Sequence, residues 1–310
     1  MGKKSLIQSS TRAFYTEARK NKDYSFFNFL HGYVYARWIY LYLALGTGNH
    51  PLTKRLSPVL GLAGNLITRT APKTDDQSII KMEDTYHGKV LPLQAARELV
   101  SVKENINLGD LESIIPYTLA RDIVLQNPDH IVVMDCPCRA AKEKPCLPLD
   151  VCLIVGEPFA GFVLEHHPER SRKINSEEAQ QIIKAEDERG HVHHAFFKDA
   201  MLGRFYAICN CCSCCCGAMA AQRNGTPMLA SSGYVAKIDD EKCKSCGKCI
   251  KTCQFAAISK NGRIVINADA CMGCGVCVNQ CQFDAVHLVR VKSRGVPLEI
   301  RSLMEKTINP

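Results

Sequence analysis

Apolar residues along the chain fall into short runs separated by polar turns, the pattern of a mixed α and β protein. The continuous runs at residues 131–134 and 205–208 predict buried strands. Helical spacing predicts a helix over residues 94–102 and another after Asp110, with Pro116 near its start and Leu119, Ile123 and Val124 on one face. A third helix is signalled by the capping pair Asn175 and Glu178, the apolar face Ala179, Ile182 and Ile183, and the terminator Gly190. Tyr234–Ile238 and Arg263–Ile266 read as strands, with Asn261-Gly262 a turn before the second. Residues 26–45 form a long apolar and aromatic stretch, interrupted by His31, Gly32 and Arg37.

Cysteine changes this picture most, supplying 18 of 310 residues. No secretory pattern opens the sequence, so a reducing cytoplasm is the expected location and metal ligation outranks disulfides. The formal charge of +8 is uneven: residues 1–73 carry 11 basic and 2 acidic groups, residues 74–234 carry 16 and 22, and residues 235–310 carry 12 and 7. Three blocks predict three modules: a basic aromatic helical extension (1–73), a cysteine-rich domain (74–234) and a C-terminal module (235–310).

Cys243, Cys246, Cys249 and Cys253 have the spacing C-x2-C-x2-C-x3-C, and Cys271, Cys274, Cys277 and Cys281 repeat it 28 residues later. Gly247, Gln254, Phe255 and Ala257 recur as Gly275, Gln282, Phe283 and Ala285, which marks an internal duplication. Three thiolates two residues apart wrap one centre, and the fourth is free to reach another. A zinc site drawing two cysteines from each of two knuckles has no use for the third. The pattern resembles the bacterial two-cluster ferredoxins. That resemblance implies a small α+β unit with crossed ligation of two [4Fe–4S] clusters, one held by Cys243, Cys246, Cys249 and Cys281 and the other by Cys271, Cys274, Cys277 and Cys253. The family's proline after each fourth cysteine is replaced here by Gln254 and Gln282.

The other ten cysteines lie in the middle block. Cys136, Cys138, Cys146 and Cys152 follow the first buried run; in extended backbone Cys136 and Cys138 share a side. Cys209, Cys211, Cys212, Cys214, Cys215 and Cys216 follow the second. If that segment stays extended, Cys209, Cys211 and Cys215 face one way and Cys212, Cys214 and Cys216 the other. Each triplet would be completed by a cysteine of the earlier group, giving one or two further iron–sulfur clusters; the alternative is small apolar packing of free thiols. Arg139, His193 and His194 are the candidates for binding or protonating a substrate. On a strand, His191 and His193 share a face and His194 opposes them.

No dinucleotide, phosphate-loop or serine-nucleophile motif occurs, which leaves flavin open but unsupported. The motifs D-C-P-C-R and I-C-N-C-C-S-C-C-C-G upstream of a ferredoxin-like module resemble a group of iron–sulfur proteins from anaerobic microbes without an assigned reaction. The resemblance spans about residues 80–290 and implies extra cluster binding and anaerobic redox work. The expected fold is therefore α+β, with a cysteine-rich α/β domain ahead of a ferredoxin-like module. The expected function is cytoplasmic single-electron transfer to a redox protein partner or larger oxidoreductase complex. The alternatives are a reductase with a catalytic cluster in the middle domain and an iron–sulfur scaffold. Arg37 within residues 26–45 disfavours a transmembrane span, and the basic flanks make peripheral membrane contact through residues 1–73 the expected alternative to burial in the core. No reading motif for nucleic acid accompanies the basic tract.

Overall fold

The computed structural model describes residues 7–22, 24–51, 53, 85–109, 111–119 and 121–308. Three helices come first: α1 (Ser9–Ala18), α2 (Phe26–Arg37) and α3 (Ile39–Gly46). Ser25 caps α2 by accepting from the Asn28 amide at 3.1 Å. The helical path breaks at Trp38 (φ −123°, ψ 38°), so residues 26–45 form two short helices. Among the described residues no helix is long and apolar enough to cross a membrane.

An eight-stranded sheet forms the centre of the molecule. It comprises β1 (Tyr86–Leu91), β2 (Ile106–Leu108), β3 (Ile123–Asp135), β4 (Asp150–Glu157), β5 (Ser171–Ile174), β6 (Val192–Lys198), β7 (Arg204–Cys211) and β8 (Leu229–Ala230). Its order is β2-β3-β4-β7-β6-β1-β8, with β5 also on β3; pairing is antiparallel except between β1 and β8. Between the strands lie α4 (Leu93–Leu99), α5 (Pro137–Ala140), α6 (Phe159–His166) and α7 (Ser176–Glu188), and α8 (Gly217–Arg223) follows β7. Helices with this mixed sheet make the fold α+β.

Both faces of the sheet are buried, which is why its strands read as apolar runs. On β6, Val192 and Phe196 enter one core with α1, α2, α6 and α8, while Ala195 and Phe197 enter the other with α4 and α7. α7 starts and stops where its sequence signals lie: Asn175 accepts from the Glu178 amide at 2.8 Å, and Gly190 takes φ +84° beyond its end.

The helix expected after Asp110 is corrected. Ile123 and Val124 open β3, where Ile123 pairs with Leu108 and Leu125 with Ile106; Asp110 and Ala120 lie outside the described residues. Ile123 and Leu125 are buried while Val124 is half-exposed, a period of two. Three apolar residues in a short window fit either period, and β-branched Ile123 and Val124 suit a pleated strand.

A smaller lobe follows: β9 (Tyr234–Ile238), α9 (Lys248–Thr252), β10 (Ile258–Asn261), β11 (Arg263–Ile266), α10 (Val276–Asn279) and β12 (Val286–Arg290), with β9 on β12 and β10 on β11. The chain then returns to the large sheet, where α11 (Ile300–Ile308) packs its Ile300 in the second core.

Lys89 on β1 secures this return. Its buried ammonium donates to the Ile114 carbonyl at 2.7 Å and the Val296 carbonyl at 2.8 Å. Burial, reinforced by the Arg290 charge, lowers its pKa from 10.5 to about 7. Between those values the unfolded chain holds a proton that the folded one lacks, so this residue makes stability rise with pH across the window. The slope is at most about 1.4 kcal/mol per pH unit. Lys89→Met removes that slope. The stability difference between wild type and variant, measured by anaerobic urea unfolding at about pH 7.5 and about pH 9, is expected to shift in favour of the wild type at the higher pH. A pH-independent difference contradicts the assignment.

Candidate metal centres

The duplication in the small lobe extends to backbone conformation. Residues 28 apart share left-handed φ angles: Ser245 (+49°) with Gly273 (+67°), Gly247 (+76°) with Gly275 (+83°), and Ala256 (+52°) with Asp284 (+48°). Non-glycine residues there cost roughly 1–3 kcal/mol each, strain that typically marks a ligand-holding loop. The loops direct sulfur inward. Cys243, Cys246, Cys249 and Cys281 line one cavity, and Cys253, Cys271, Cys274 and Cys277 line another. Each fourth cysteine thus crosses to the other repeat's triplet. Backbone amides of Ala236, Ala257 and Ala285 donate to the sulfurs of Cys271, Cys253 and Cys281 at 3.4, 3.3 and 3.4 Å. Four converging sulfurs, some with N–H donors aimed at them, fit a [4Fe–4S] cubane in each cavity.

The two cavities differ in their surroundings. Cys246 of the first set is exposed and flanked by Lys244 and Lys248, whereas Cys271 and Cys277 of the second are 8% and 7% exposed. Burial pushes the Cys277 thiol up to about 12. A proton therefore stays on it at neutral pH until a metal displaces it.

The inner set faces the large domain: Met272 and Val276 belong to the first core, with Phe255 and Cys274 packed against it. Gln254, immediately after Cys253, spans the contact. Its Oε1 accepts from the Ser213 amide and its Nε2 donates to the Gly190 carbonyl, both at 2.8 Å. A proline has no side chain able to do this, so the departure from the ferredoxin pattern serves docking. A second bridge runs from α10, where Asn279 donates to Asp187 at 2.9 Å and Gln280 to the Glu188 carbonyl at 2.9 Å.

The ten middle cysteines divide differently from the extended-strand expectation. β7 ends at Cys211 and the chain turns at Ser213–Cys215, so alternation stops there. Cys209, Cys211 and Cys216 join Cys136, Cys138 and Cys152 around one chamber, called here the six-thiol chamber, which Cys212 and Cys215 also line. Cys212 and Cys215, besides lining the chamber, cluster with Cys146 and Cys214, the four sulfurs within 4.8 Å of one another. Cys215 lines the chamber with Cys209 and Cys211, as alternation assigns it, but Cys212 and Cys216, assigned to the opposite side, line it as well. Cys136 and Cys138 both reach the chamber, but through a turn: Pro137, with φ already helical, starts α5 directly after Cys136.

Sheet register explains the chamber floor. Met134, Cys152, Cys209, His194 and Val90 are successive cross-strand partners on β3, β4, β7, β6 and β1, so their side chains share one face. Cys152 and Cys209 sulfurs stand 3.8 Å apart. Tyr35 and Ile39 of α2 and α3 contribute to the roof. The Tyr35 and Tyr206 hydroxyls, both in the chamber wall, share a hydrogen bond of 2.8 Å. Burial raises both phenols well above their ordinary range, keeping them neutral donors.

Of the three substrate-binding candidates, Arg139 has a positioning role. It is 1% exposed and donates to the Pro148 carbonyl and Glu186 Oε2 at 2.5 Å each, and to the Asn210 carbonyl at 3.1 Å. It therefore ties Cys138 to the strand bearing Cys209 and Cys211. Burial alone would raise the Glu186 carboxyl; hydrogen bonds from His191 and Arg139 and the Arg139 charge hold it below the ordinary carboxylate range. His193 turns away from the chamber, as alternation requires. Its Nδ1 donates to Asn210 Oδ1 at 2.6 Å, since Asn210 Nδ2 is itself a donor to the Val151 carbonyl, and its Nε2 lies 3.8 Å from Asp187. Asn279, Asp187, His193 and Asn210 thereby form a polar path from the small lobe to the thiol strand. His194 faces the chamber side beside Cys209; burial lowers its pKa to about 3, so its ring is neutral. Among the described residues neither of its ring nitrogens has a hydrogen-bond partner.

Residues 235–282 match the 4Fe-4S dicluster domain family. No curated protein matches the chain. The small lobe is accordingly a ferredoxin-like module that binds at least one [4Fe–4S] cluster, which supports an iron–sulfur electron-transfer role.

Proposed function

We propose that this protein is an internal electron relay that takes up single electrons at the exposed edge of its ferredoxin-like module and delivers them to a redox centre in the six-thiol chamber. When bound, two [4Fe–4S] cubanes in the module and one further iron–sulfur cluster in the chamber supply one-electron storage. The observation that carries the reading is the docking of the inner sulfur set on the thiol-bearing turn through Gln254. Lys244 and Lys248 beside exposed Cys246 suit an acidic redox partner at this edge. Arg139, Asn210 and the helical roof hold the chamber sulfurs in place and keep water out. In Cys152→Ser, iron is expected to fall while the module's EPR signals persist. Gln254→Leu is expected to slow reduction of the chamber centre after rapid reduction of the module, read by freeze-quench EPR, with unchanged module potentials. Full iron content in the first variant, or an unchanged rate in the second, overturns the relay.

A second reading, a reductase acting on a small molecule, is favoured by the hydrogen-bonded Tyr35–Tyr206 pair in the chamber wall, which offers neutral proton donors beside the thiols. It predicts a pH-dependent chamber potential that becomes pH-independent in Tyr206→Phe. A plain relay shows no such change.

The N-terminal helices suit attachment to an anionic membrane surface on the cytoplasmic side. Phe27, Leu30 and Val34 on α2, spaced three or four apart, and Leu41 and Leu45 on α3 are all exposed, as is Trp38 at the break between the helices, with Phe27 78% and Trp38 47% exposed. The excess of basic residues in 1–73 supplies the complementary charge, and Arg37 lies over the Trp38 ring at 5.8 Å. Trp38 is the sole tryptophan. Its emission is expected to shift to the blue on adding phosphatidylglycerol vesicles but not phosphatidylcholine vesicles, and not in Phe27→Glu/Leu30→Glu. Equal response to both vesicles, or none, contradicts this attachment.

A further inference from the structure

The Cys146, Cys212, Cys214 and Cys215 site differs in size from every other sulfur set in the protein. Its four sulfurs all lie within 4.8 Å of one another, and among the described residues no other group of metal-ligating side chains meets that limit. The eight cysteines of the ferredoxin-like module are all described, so their two sets, built to surround cubanes, are wider. The difference has a direct physical meaning. In a cubane each thiolate holds a different iron at a separate corner, which drives the four sulfurs apart. Around one ion, metal–sulfur bonds of about 2.3 Å in tetrahedral array place the sulfurs about 3.8 Å from one another. Two of the separations here, 3.1 Å for Cys146–Cys214 and 3.6 Å for Cys214–Cys215, belong to the second scale.

We propose that these four cysteines bind one divalent metal ion as a closed tetrathiolate, zinc by donor set and geometry, and not an iron–sulfur cluster. Four protein ligands leave no open position, the mark of a structural site. Three ligands come from the turn after β7 and the fourth from the segment after α5, so the ion joins the two cysteine-bearing segments at their surface end. It also fixes the turn's neighbours. Cys211 and Cys216, on either side of it, reach into the six-thiol chamber, which the ligands Cys212 and Cys215 border as well, and the Ser213 amide, between two ligands, donates to Gln254. Arg223 closes the turn by donating to the Ser213 carbonyl at 2.8 Å. Metal capture by these thiols releases their protons, Cys146 among them, whose pKa burial has raised to about 11. No electron changes hands in that step.

Zinc, iron and acid-labile sulfide are measured on the full chain purified without oxygen. Wild type is expected to hold about one zinc per chain in addition to its iron. Cys146→Ser should lose that zinc with iron and sulfide unchanged, while Cys146→His, which keeps a zinc ligand, should retain it and guards against misreading a folding failure. Loss of one iron without sulfide would identify the same single-ion site carrying iron. Loss of about four iron and four sulfide from Cys146→Ser, or wild type without any such single ion, overturns the proposal.

Discussion

A single buried guanidinium holds the thiol-rich domain together. Arg139 reaches three segments that are distant in sequence: the Pro148 carbonyl, Glu186 on α7, and the Asn210 carbonyl between Cys209 and Cys211. Burying this charge is costly, and Glu186 offsets the cost only because both are almost wholly enclosed. Losing either partner would strand a charge inside the protein, a penalty of roughly 3–5 kcal/mol. The planar donor fork also suits the task, since it bonds carboxylate and carbonyls in several directions at once. Cys138 and the β7 cysteines therefore face each other at fixed spacing before any metal arrives, which lowers the ordering that metal binding must impose.

Around this anchor the molecule is layered from outside to inside. The outer sulfur set is open to partners and edged by lysines, the inner set is enclosed, and the six-thiol chamber lies deeper, beneath α2 and α3. Enclosure matters for redox sites because exposure and hydrogen bonds to sulfur set their potentials. The same N-terminal helices serve twice: Tyr35 and Ile39 cover the chamber while Phe27 and Trp38 face outward. A stretch apolar on all sides, at first sight ambiguous, is explained by two different surfaces for its two faces.

Much of this was legible where spacing alone decides the geometry. Cysteines two and three residues apart must converge locally, and the alternation of His193 and His194 across a strand follows from the pleat. The crossing of Cys253 and Cys281 comes through resemblance; in the structure Cys281 lines the cavity of the first triplet and Cys253 that of the second. What local rules missed depends on where a strand stops. Extending the backbone through Cys216 mis-sorts Cys212 and Cys216, because the turn at Ser213 is stabilised from outside the segment, by Gln254 and Arg223. Ile123 and Val124 likewise fit a helical window until β2 is available as a partner. The docking role of Gln254 had a visible signal, a glutamine where proline is usual, but its partners Gly190 and Ser213 lie far off in sequence.

The central claim is that the six-thiol chamber holds a redox cluster fed by the ferredoxin-like module. Iron and acid-labile sulfide per chain, determined on anaerobically purified protein alongside an EPR-monitored reductive titration, test it most directly. The account predicts about 12 iron, with a third reducible signal coupled magnetically to one of the module's two. About 8 iron and only two signals would contradict it.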